Sequence, residues 1–271
     1  MDTHLLRDRR AAAIVLAVLS LPVAGCQSGA EPTAISPIGS TSSLAPSSSP
    51  NATMPSAQSG WQNVGWSVLG RPIRAITVGS GPRTVLFIGG IHGDEAECAF
   101  ATAQLPEAFT AAGLGELVTL TIIEDANPDG RAAGTRVNAN GVDVNRNFPA
   151  RNFDATNPEF GGEALSQPES RTLVETIDRT RPDLVIVGHA WRGKQFINFD
   201  GPARLVAEKF SATSGFAVEE SAAFAPTPGS LGSYVGRDRG IALLTIEVLK
   251  GSDPVSVWAT LKEALLQAVR G

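Results

Sequence analysis

Short apolar runs alternate with amphipathic helical segments along the chain after residue 60. The runs are rich in Val, Ile and Leu and end in glycine or polar residues, a pattern typical of strands covered on both faces. They lie at residues 85–88, 117–125, 184–190 and 241–248. Strands that alternate with helices predict an α/β fold, here a single three-layer α/β/α domain with a mixed, largely parallel central sheet.

Local sequence signals predict the ends of several further elements. Gly70-Arg71-Pro72 separates two strand-like stretches and indicates a β-hairpin at the start of the sheet. Ser166 and Glu169 have the spacing of a capping box, so we expect a helix carrying Leu173 to follow them. Asp253-Pro254 predicts the first turn of a last helix.

Loops and short elements fill the remaining sequence. Residues 127–130, Asn-Pro-Asp-Gly, predict a tight turn in which Asn and Asp bond the local backbone and Gly takes a positive φ. Residues 131–162 and 222–232 lack a regular pattern, and loops of such length inside a compact domain are usually functional. A short strand is expected at residues 196–199 and a helix at about residues 202–214.

The first 25 residues have the organisation of a bacterial secretory signal. Arginines precede an apolar run that is too short to span a bilayer, and small residues follow it. Residues 23–26, Val-Ala-Gly-Cys, resemble a lipobox, which implies cleavage before Cys26 and lipid attachment there. A plain signal peptide with an incidental cysteine is the alternative. Residues 26–60, rich in Ser, Pro and Ala, are expected to form a disordered tether to a folded domain at residues 61–271.

These features limit the location and partners of the chain. We expect it outside the cytoplasm, anchored to the cell membrane through lipid on Cys26. A formal net charge of −5 without a basic stripe argues against a nucleic-acid partner. Cys98 is the only other cysteine, so no disulfide is expected if Cys26 is lipidated. We interpret Cys98 as a small core residue, not a catalytic thiol.

Histidine is rare, with three copies in the chain, and one of them, His4, lies in the predicted signal. His92 and Glu95 follow an apolar run, and their spacing at the first turn of a helix would place an imidazole and a carboxylate on one side. His189 ends a second run. Because α/β sheets bind ligands at the carboxyl ends of their strands, these three residues predict a zinc site at that edge. A surface His and a helix N-terminal Glu are the alternative for the first pair.

Glu247 is unusual because it lies near the end of an apolar strand-like run. A carboxylate in that position is costly unless it is paired, protonated or facing a polar cavity. One interpretation is a structural salt bridge. The other is a general base beside zinc, which takes a proton from water and later passes it to a leaving amine.

Two arginines in the first long loop are candidates for binding an anionic substrate. Arg136 and Arg146 flank the stretch VNANGVDVN, and Asn145 directly precedes Arg146. The planar fork of arginine suits bidentate capture of a carboxylate, and a second arginine near a metal stabilises an oxyanion. Solvated surface arginines remain the alternative for each one.

Together these motifs resemble those of the zinc carboxypeptidase family, the M14 group. The resemblance extends from about residue 66 to residue 270, and the five motifs follow the order of the family. They are the H-x-x-E of His92 to Glu95, the N-P-D-G of Asn127 to Gly130, the N-R-N of Asn145 to Asn147, His189 and Glu247. The resemblance implies a zinc carboxypeptidase-like fold, one Zn²⁺ ion and a peptide substrate.

The resemblance also implies a role for individual residues. Zinc would be held by His92, Glu95 and His189. Arg136 would polarise the scissile carbonyl, Asn145 and Arg146 would hold a terminal carboxylate of the substrate, and Glu247 would be general base and then general acid.

Three stretches look similar to the murein peptide amidase branch of the family: residues 92–95, 198–202 and 227–230. Enzymes of that branch cut the bond between γ-D-glutamate and meso-diaminopimelate in cell-wall peptides. The branch therefore implies an amide hydrolase that acts next to a carboxylate-bearing terminal residue. A general carboxypeptidase that removes C-terminal amino acids and a non-catalytic peptide-binding lipoprotein are the alternatives.

Two departures from the digestive carboxypeptidases concern specificity. Their mobile-loop tyrosine has no counterpart in residues 223–226, Ala-Phe-Ala-Pro, and Tyr234 aligns better with another position, so we assign no such role to it. Asp94 stands where those enzymes have an arginine. It either meets the free amino group of diaminopimelate or stabilises a helix N-terminus.

Overall fold

Eight strands form one mixed sheet in the computed structural model, which describes residues 60–220 and 227–271. The strands are β1 (Gln62–Trp66), β2 (Pro72–Val78), β3 (Arg83–Ile88), β4 (Val118–Ile123), β5 (Leu184–Trp191), β6 (Phe196–Asp200), β7 (Ala217–Glu220) and β8 (Ala242–Leu249). Their order across the sheet is β1-β2-β4-β3-β5-β8-β6-β7. The central strands β4, β3, β5 and β8 are parallel, whereas β1–β2, β2–β4 and β6–β8 pair antiparallel. The predicted mixed, largely parallel sheet is confirmed.

Helices cover both faces of this sheet and complete the three predicted layers. The α-helices are α1 (Ala99–Ala111), α2 (Pro128–Ala133), α3 (Pro168–Thr180), α4 (Arg204–Ser214) and α5 (Pro254–Arg270). Helices α1, α4 and α5 pack on one face, and α3 packs on the other. In the connections that the structure describes lie two 3₁₀ helices, Val144–Arg146 and Pro158–Phe160, and a π-helix, Gly232–Asp238.

Strand β3 shows why its sequence is apolar without alternation. Val85 and Phe87 point into the core beneath α1 and α5, while Leu86 and Ile88 point into the core beneath α3. All four side chains are buried, and burial stabilises each by about 1.5–3 kcal/mol. The strand therefore provides a rigid base for the residues that follow it.

The predicted hairpin exists, but its turn lies earlier in the sequence than expected. Residues 67–71 form the turn, whereas the sequence predicts it at Gly70-Arg71-Pro72. Ser67 explains the difference, because its backbone N–H donates to the Arg71 carbonyl and its hydroxyl accepts from the Arg71 N–H, both at 2.9 Å. These bonds close the turn before Val68 can pair in the sheet.

The capping-box prediction is wrong. Helix α3 begins at Pro168, and its N-cap is Gln167, not Ser166. The Ser166 hydroxyl instead accepts from Asn147 Nδ2 at 2.9 Å, and Glu169 accepts from the Val68 N–H at 3.1 Å. Both side chains make long-range bonds that a local sequence pattern does not reveal.

The Asn-Pro-Asp-Gly segment begins a short helix and is not an isolated turn. Asn127 caps α2 as expected, since its side chain accepts from the Gly130 N–H at 2.9 Å. Asp129 instead reaches the Leu69 N–H, and Gly130 does not have a positive φ. Gly130 is required for space, because a Cβ there would lie 2.4 Å from Asn127 Nδ2.

The C-terminal half agrees better with prediction. Asp253 caps α5 by accepting from the Ser256 N–H at 2.9 Å, and β6 and α4 lie within a few residues of their predicted positions. Strand β7 and the π-helix were not predicted. The predicted signal, Cys26, the tether up to residue 59 and residues 221–226 lie outside the described residues. Among the described residues, no helix has the length and apolarity to cross a bilayer.

Candidate metal centre

The first two candidate ligands lie in a tight turn after β3. The Glu95 N–H donates to the His92 carbonyl at 3.3 Å, which brings both side chains to one side. Helix α1 begins only at Ala99, so the expected direct passage from strand to helix is wrong, although the spacing argument survives. Gly93 is required here because a Cβ would lie 1.9 Å from the backbone carbon of Gly130.

His189 joins this pair from the end of β5. Its Nδ1 lies 3.0 Å from His92 Nδ1 and 2.9 Å from Glu95 Oε2, and His92 Nδ1 lies 2.9 Å from Glu95 Oε1. All three residues are buried, and one ligand atom from each falls within 4.8 Å of the others. The predicted trio therefore converges on one point at the carboxyl edge of the sheet.

This donor set fits zinc. Two histidine nitrogens and a carboxylate with an open fourth position are typical of catalytic zinc sites. Ligand atoms about 2.0–2.2 Å from a tetrahedral ion would lie about 3.3–3.6 Å apart. The contacts among the three side chains, 2.9–3.0 Å and made through both Glu95 oxygens, are shorter than this. The three residues would therefore hold zinc after an outward movement of their side chains.

Asp143 orients His92, and the sequence analysis missed it. Its Oδ1 lies 3.2 Å from His92 Nε2 and accepts from the Asn145 N–H at 2.8 Å. A carboxylate only accepts, so this bond keeps the proton on Nε2 and directs the Nδ1 lone pair toward the metal position. The only sequence signal was an aspartate two residues before the N-R-N motif.

Charge couples the members of this cluster in the metal-free protein. Burial opposes the charged form of His92, but hydrogen bonds with Asp143 and Glu95 outweigh it and raise its pKa above 6.5. Burial also opposes the charge of both carboxylates. Hydrogen bonds with His189 and His92 nevertheless hold the pKa of Glu95 well below its usual range. The pKa of Asp143 is likewise lowered, by a hydrogen bond with His92 and by the nearby charge of Arg136.

Glu247 lies beside His189, since the two residues are partners in the register of β5 and β8. Its carboxyl interacts electrostatically with His189, Glu95 and Arg136, and burial raises its pKa above the usual value. Among these charges, His189 lowers this pKa and Glu95 raises it. Glu247 therefore lies close to the candidate ligands, and among the described residues it forms no salt bridge.

Arg136 reaches the same cluster from the long loop. Its Nε donates to Asp143 Oδ2 at 3.0 Å, and its Nη1 donates to Glu95 Oε1 at 3.2 Å. The side chain remains 43% exposed. The guanidinium thus lies between a candidate zinc ligand and solvent.

Asn145 contacts the Nε2 side of His189, and Arg146 follows it in the chain. Asn145 Nδ2 is 3.3 Å from His189 Nε2, and Asn145 Oδ1 accepts from the Leu231 N–H at 2.9 Å. Arg146 Nη1 donates to the Asn145 carbonyl at 2.7 Å. Burial lowers the pKa of Arg146, while the nearby charge of Asp143 opposes that shift.

The other residues singled out in the sequence have different surroundings. Asp94 is paired with Lys250 at 2.5 Å, so its partner within the chain is an ammonium group and not a helix N-terminus. Tyr234 accepts from Arg239 at 3.3 Å and stacks on Phe148 in the core beneath α3. Cys98 is buried, and burial raises the pKa of its thiol to about 12, as expected of a core residue.

Comparison with known proteins identifies the family. The model of the zinc carboxypeptidases, Peptidase M14, matches residues 52–221. The chain belongs to the zinc carboxypeptidase family. This match includes the candidate ligands and the loop arginines of the M14 chain, whereas Glu247 lies beyond its end. The resemblance predicted from the motifs is confirmed, as is zinc as the metal of the family.

Curated relatives of this M14 chain include murein peptide amidases. It is 31% identical over 146 residues to murein peptide amidase A of Escherichia coli K12, covering 48% of the chain and 59% of the relative. The chain therefore spans about three-fifths of that relative. It is 28% identical over 223 residues to murein peptide amidase A of Vibrio campbellii, covering 74% of the chain and 82% of the relative.

Solved structures confirm the zinc carboxypeptidase fold. The murein-tripeptide amidase MpaA from Escherichia coli O157 superposes with a TM-score of 0.65 at 25% identity, covering 82% of this chain and 96% of that one. Carboxypeptidase A from Helicoverpa armigera gives a TM-score of 0.66 at 19% identity, covering 78% and 68%. The second likeness concerns the fold alone.

Proposed function

We propose that the chain is a zinc-dependent amide hydrolase that acts next to a carboxylate-bearing terminal residue. The observation that carries this proposal is the convergence of His92, Glu95 and His189 on one point, with Glu247 beside them. When bound, zinc supplies Lewis-acid chemistry that polarises oxygen and makes water acidic near neutral pH.

The chain's own residues perform the proton transfers and the positioning. Glu247 takes a proton from water, and its raised pKa suits a group that must next give that proton to the leaving amine. Arg136 donates to the carbonyl oxygen as negative charge develops there. Arg146, with Asn145, pairs with the terminal carboxylate of the substrate. The products are one new carboxylate and one free amine.

The proposed substrate is the bond between γ-D-glutamate and meso-diaminopimelate in cell-wall peptides. Its support is the likeness to murein peptide amidase A of two bacteria and to the murein-tripeptide amidase structure. Asp94 bears on this substrate only indirectly, because Lys250 already pairs with its carboxylate and a substrate ammonium group would have to displace that lysine.

Mass spectrometry of reaction products tests the activity and separates the alternatives. The zinc-loaded protein is incubated with L-Ala-γ-D-Glu-meso-diaminopimelate and, separately, with an ordinary L-peptide, and a Glu247→Gln variant is the control. We expect free diaminopimelate from the first peptide, lost in the variant. Cleavage of only the L-peptide's last residue would indicate a general carboxypeptidase. No cleavage of either peptide by zinc-loaded protein would indicate a peptide binder.

We also propose that the mature protein is a lipoprotein outside the cytoplasm. Residues 1–25 would be the signal, Cys26 the lipidation site and residues 26–60 the tether of a catalytic domain at residues 61–271. The support is the order of arginines, apolar run, small residues and cysteine in the sequence. Metabolic labelling with an alkyne fatty acid should mark the wild-type protein in the membrane fraction. Equal labelling of a Cys26→Ala variant would refute lipidation at this residue.

A further inference from the structure

The last residue of the N-R-N motif has no role in the mechanism above, yet it is fully buried. Asn147 Nδ2 donates to the Phe160 carbonyl at 2.7 Å and to the Glu163 carbonyl at 2.8 Å. Its Oδ1 accepts from the Gln167 N–H at 3.1 Å and from the Ser170 hydroxyl at 2.7 Å. Both ends of one side-chain amide are therefore fully used.

These partners lie along residues 160–170, which lead from the second 3₁₀ helix into α3. Phe160 ends the second 3₁₀ helix, Glu163 lies in the loop after it, and Gln167 and Ser170 belong to the start of α3. The backbone of Asn147 adds a bond, since its carbonyl accepts from the Leu165 N–H at 2.8 Å. Asn147 thus ties three segments to one point.

That point adjoins the proposed grip on the substrate. Asn147 is the C-cap of the 3₁₀ helix Val144–Arg146, and its N–H donates to the Val144 carbonyl at 3.2 Å. Arg146 in turn donates to the Asn145 carbonyl at 2.7 Å. The position of the Arg146 guanidinium therefore depends on a turn whose far end Asn147 fixes.

Only a carboxamide satisfies this environment. A carboxylate at position 147 would face the carbonyls of Phe160 and Glu163 with no hydrogen to donate. An apolar side chain would leave the Phe160 carbonyl and the Gln167 N–H without a hydrogen bond, whereas Glu163 and Ser170 would keep their bonds to Ser166 and Gln167. Either change therefore leaves buried polar groups without hydrogen bonds, which favours a rearrangement of the loop.

We propose that Asn147 is a positioning residue that sets the preference for a substrate with a free carboxylate next to the cut bond. It acts through Arg146 and touches no reacting atom. This inference rests on the proposed function, because it concerns how the same site binds its substrate. Its distinctive consequence is that substitution of Asn147 should weaken binding of a substrate that carries this carboxylate more than binding of a substrate that lacks it.

The test compares two peptides, L-Ala-γ-D-Glu-meso-diaminopimelate and the same peptide with the carboxylate beside the scissile amide converted to a carboxamide. Asn147→Asp and Asn147→Ala are assayed with zinc content and Tm as checks. Asn138→Ala is the matched control, because Asn138 is an equally buried amide of the same loop that bonds Gln167 and Glu169.

We expect the wild-type preference for the carboxylate peptide to fall about 10-fold or more in both Asn147 variants, through KM, since a charged hydrogen bond is weakened. Bound zinc should stay equimolar, and Asn138→Ala should keep the preference even where its Tm falls. An unchanged preference in the Asn147 variants would overturn the inference and leave only a structural role.

A failure of the proposed function is distinguishable from a failure of this inference. If the wild-type protein cleaves neither peptide, calorimetric binding of both peptides to zinc-loaded protein decides instead. Tighter binding of the carboxylate peptide that is lost in Asn147→Asp supports the inference. Equal binding of the two peptides to the wild-type protein overturns it.

Discussion

Replacing Asp143 with asparagine tests whether the carboxylate behind His92 tunes the metal centre. Three donors converge on Asp143, namely His92 Nε2, the Asn145 N–H and Arg136 Nε, at 3.2, 2.8 and 3.0 Å. Asparagine keeps the shape but offers one acceptor oxygen. Its NH₂ group must then face a donor, either the imidazole or the guanidinium.

The magnitude follows from the role of such partners in other metal sites. Loss of a group that orients a zinc-binding histidine weakens metal binding about 10- to 100-fold, or about 1.4–2.8 kcal/mol. Asp143 also bears the charge that favours the proton on His92 Nε2, so Asp143→Asn should weaken zinc binding by an amount in this range. The assay measures the zinc affinity of the purified protein by titration against a competing chelator.

Asp129→Asn is the matched control for this experiment. Asp129 is as buried as Asp143, accepts from the Leu69 N–H and forms an ion pair with Arg71, but it does not contact the candidate ligands. We expect unchanged zinc affinity in this variant. Equal zinc affinity of wild-type protein and Asp143→Asn would refute the reasoning, as would equal weakening in both variants.

Two further predictions concern the turn that carries the metal ligands. Gly93→Ala should lower the free energy of unfolding by about 1–3 kcal/mol and weaken zinc binding, because the new Cβ would overlap the backbone of Gly130. Chemical denaturation measures the loss. Gly115→Ala is the control, since a Cβ there meets nothing closer than 3.7 Å. The Tm of the chelator-treated protein should fall as pH rises from about 6 to 8. Because the pKa of His92 is raised in the folded protein, protonation of His92 stabilises the fold below pH 6.5. This contribution is lost as pH rises through the folded pKa. A Tm that is level or rises with pH without zinc would contradict this sign, whereas zinc-loaded protein should show the opposite trend because zinc binds neutral histidine.

The strands and the metal trio are the parts that the sequence predicts well. A strand buried on both faces, such as β3 or β5, has a continuous apolar run because nothing else suits its surroundings. His92 and His189 stand out because they follow such runs at strand ends. Strand β7 has no such signal, since its four residues, Ala217–Glu220, lie at the sheet edge and none is buried.

The polar contacts of the long loop could not be predicted because their partners are distant in sequence. Asp143 is 51 residues from His92, and Glu169 is 101 residues from Val68. Ser166 illustrates the consequence, since its local capping pattern is correct in spacing but its hydroxyl is used by Asn147. A local rule fails where a long-range bond competes for the same atom.

The site is therefore built from two different kinds of structure. His189 and Glu247 are held by adjacent strands whose apolar neighbours fix them, so substitutions there should change chemistry without moving the backbone. Arg136 and Arg146 belong to a loop whose order depends on buried side-chain amides such as Asn147. Zinc affinity and preference for a substrate carboxylate should accordingly respond to different substitutions, with Asp143 as the residue that bonds to both His92 and Arg136.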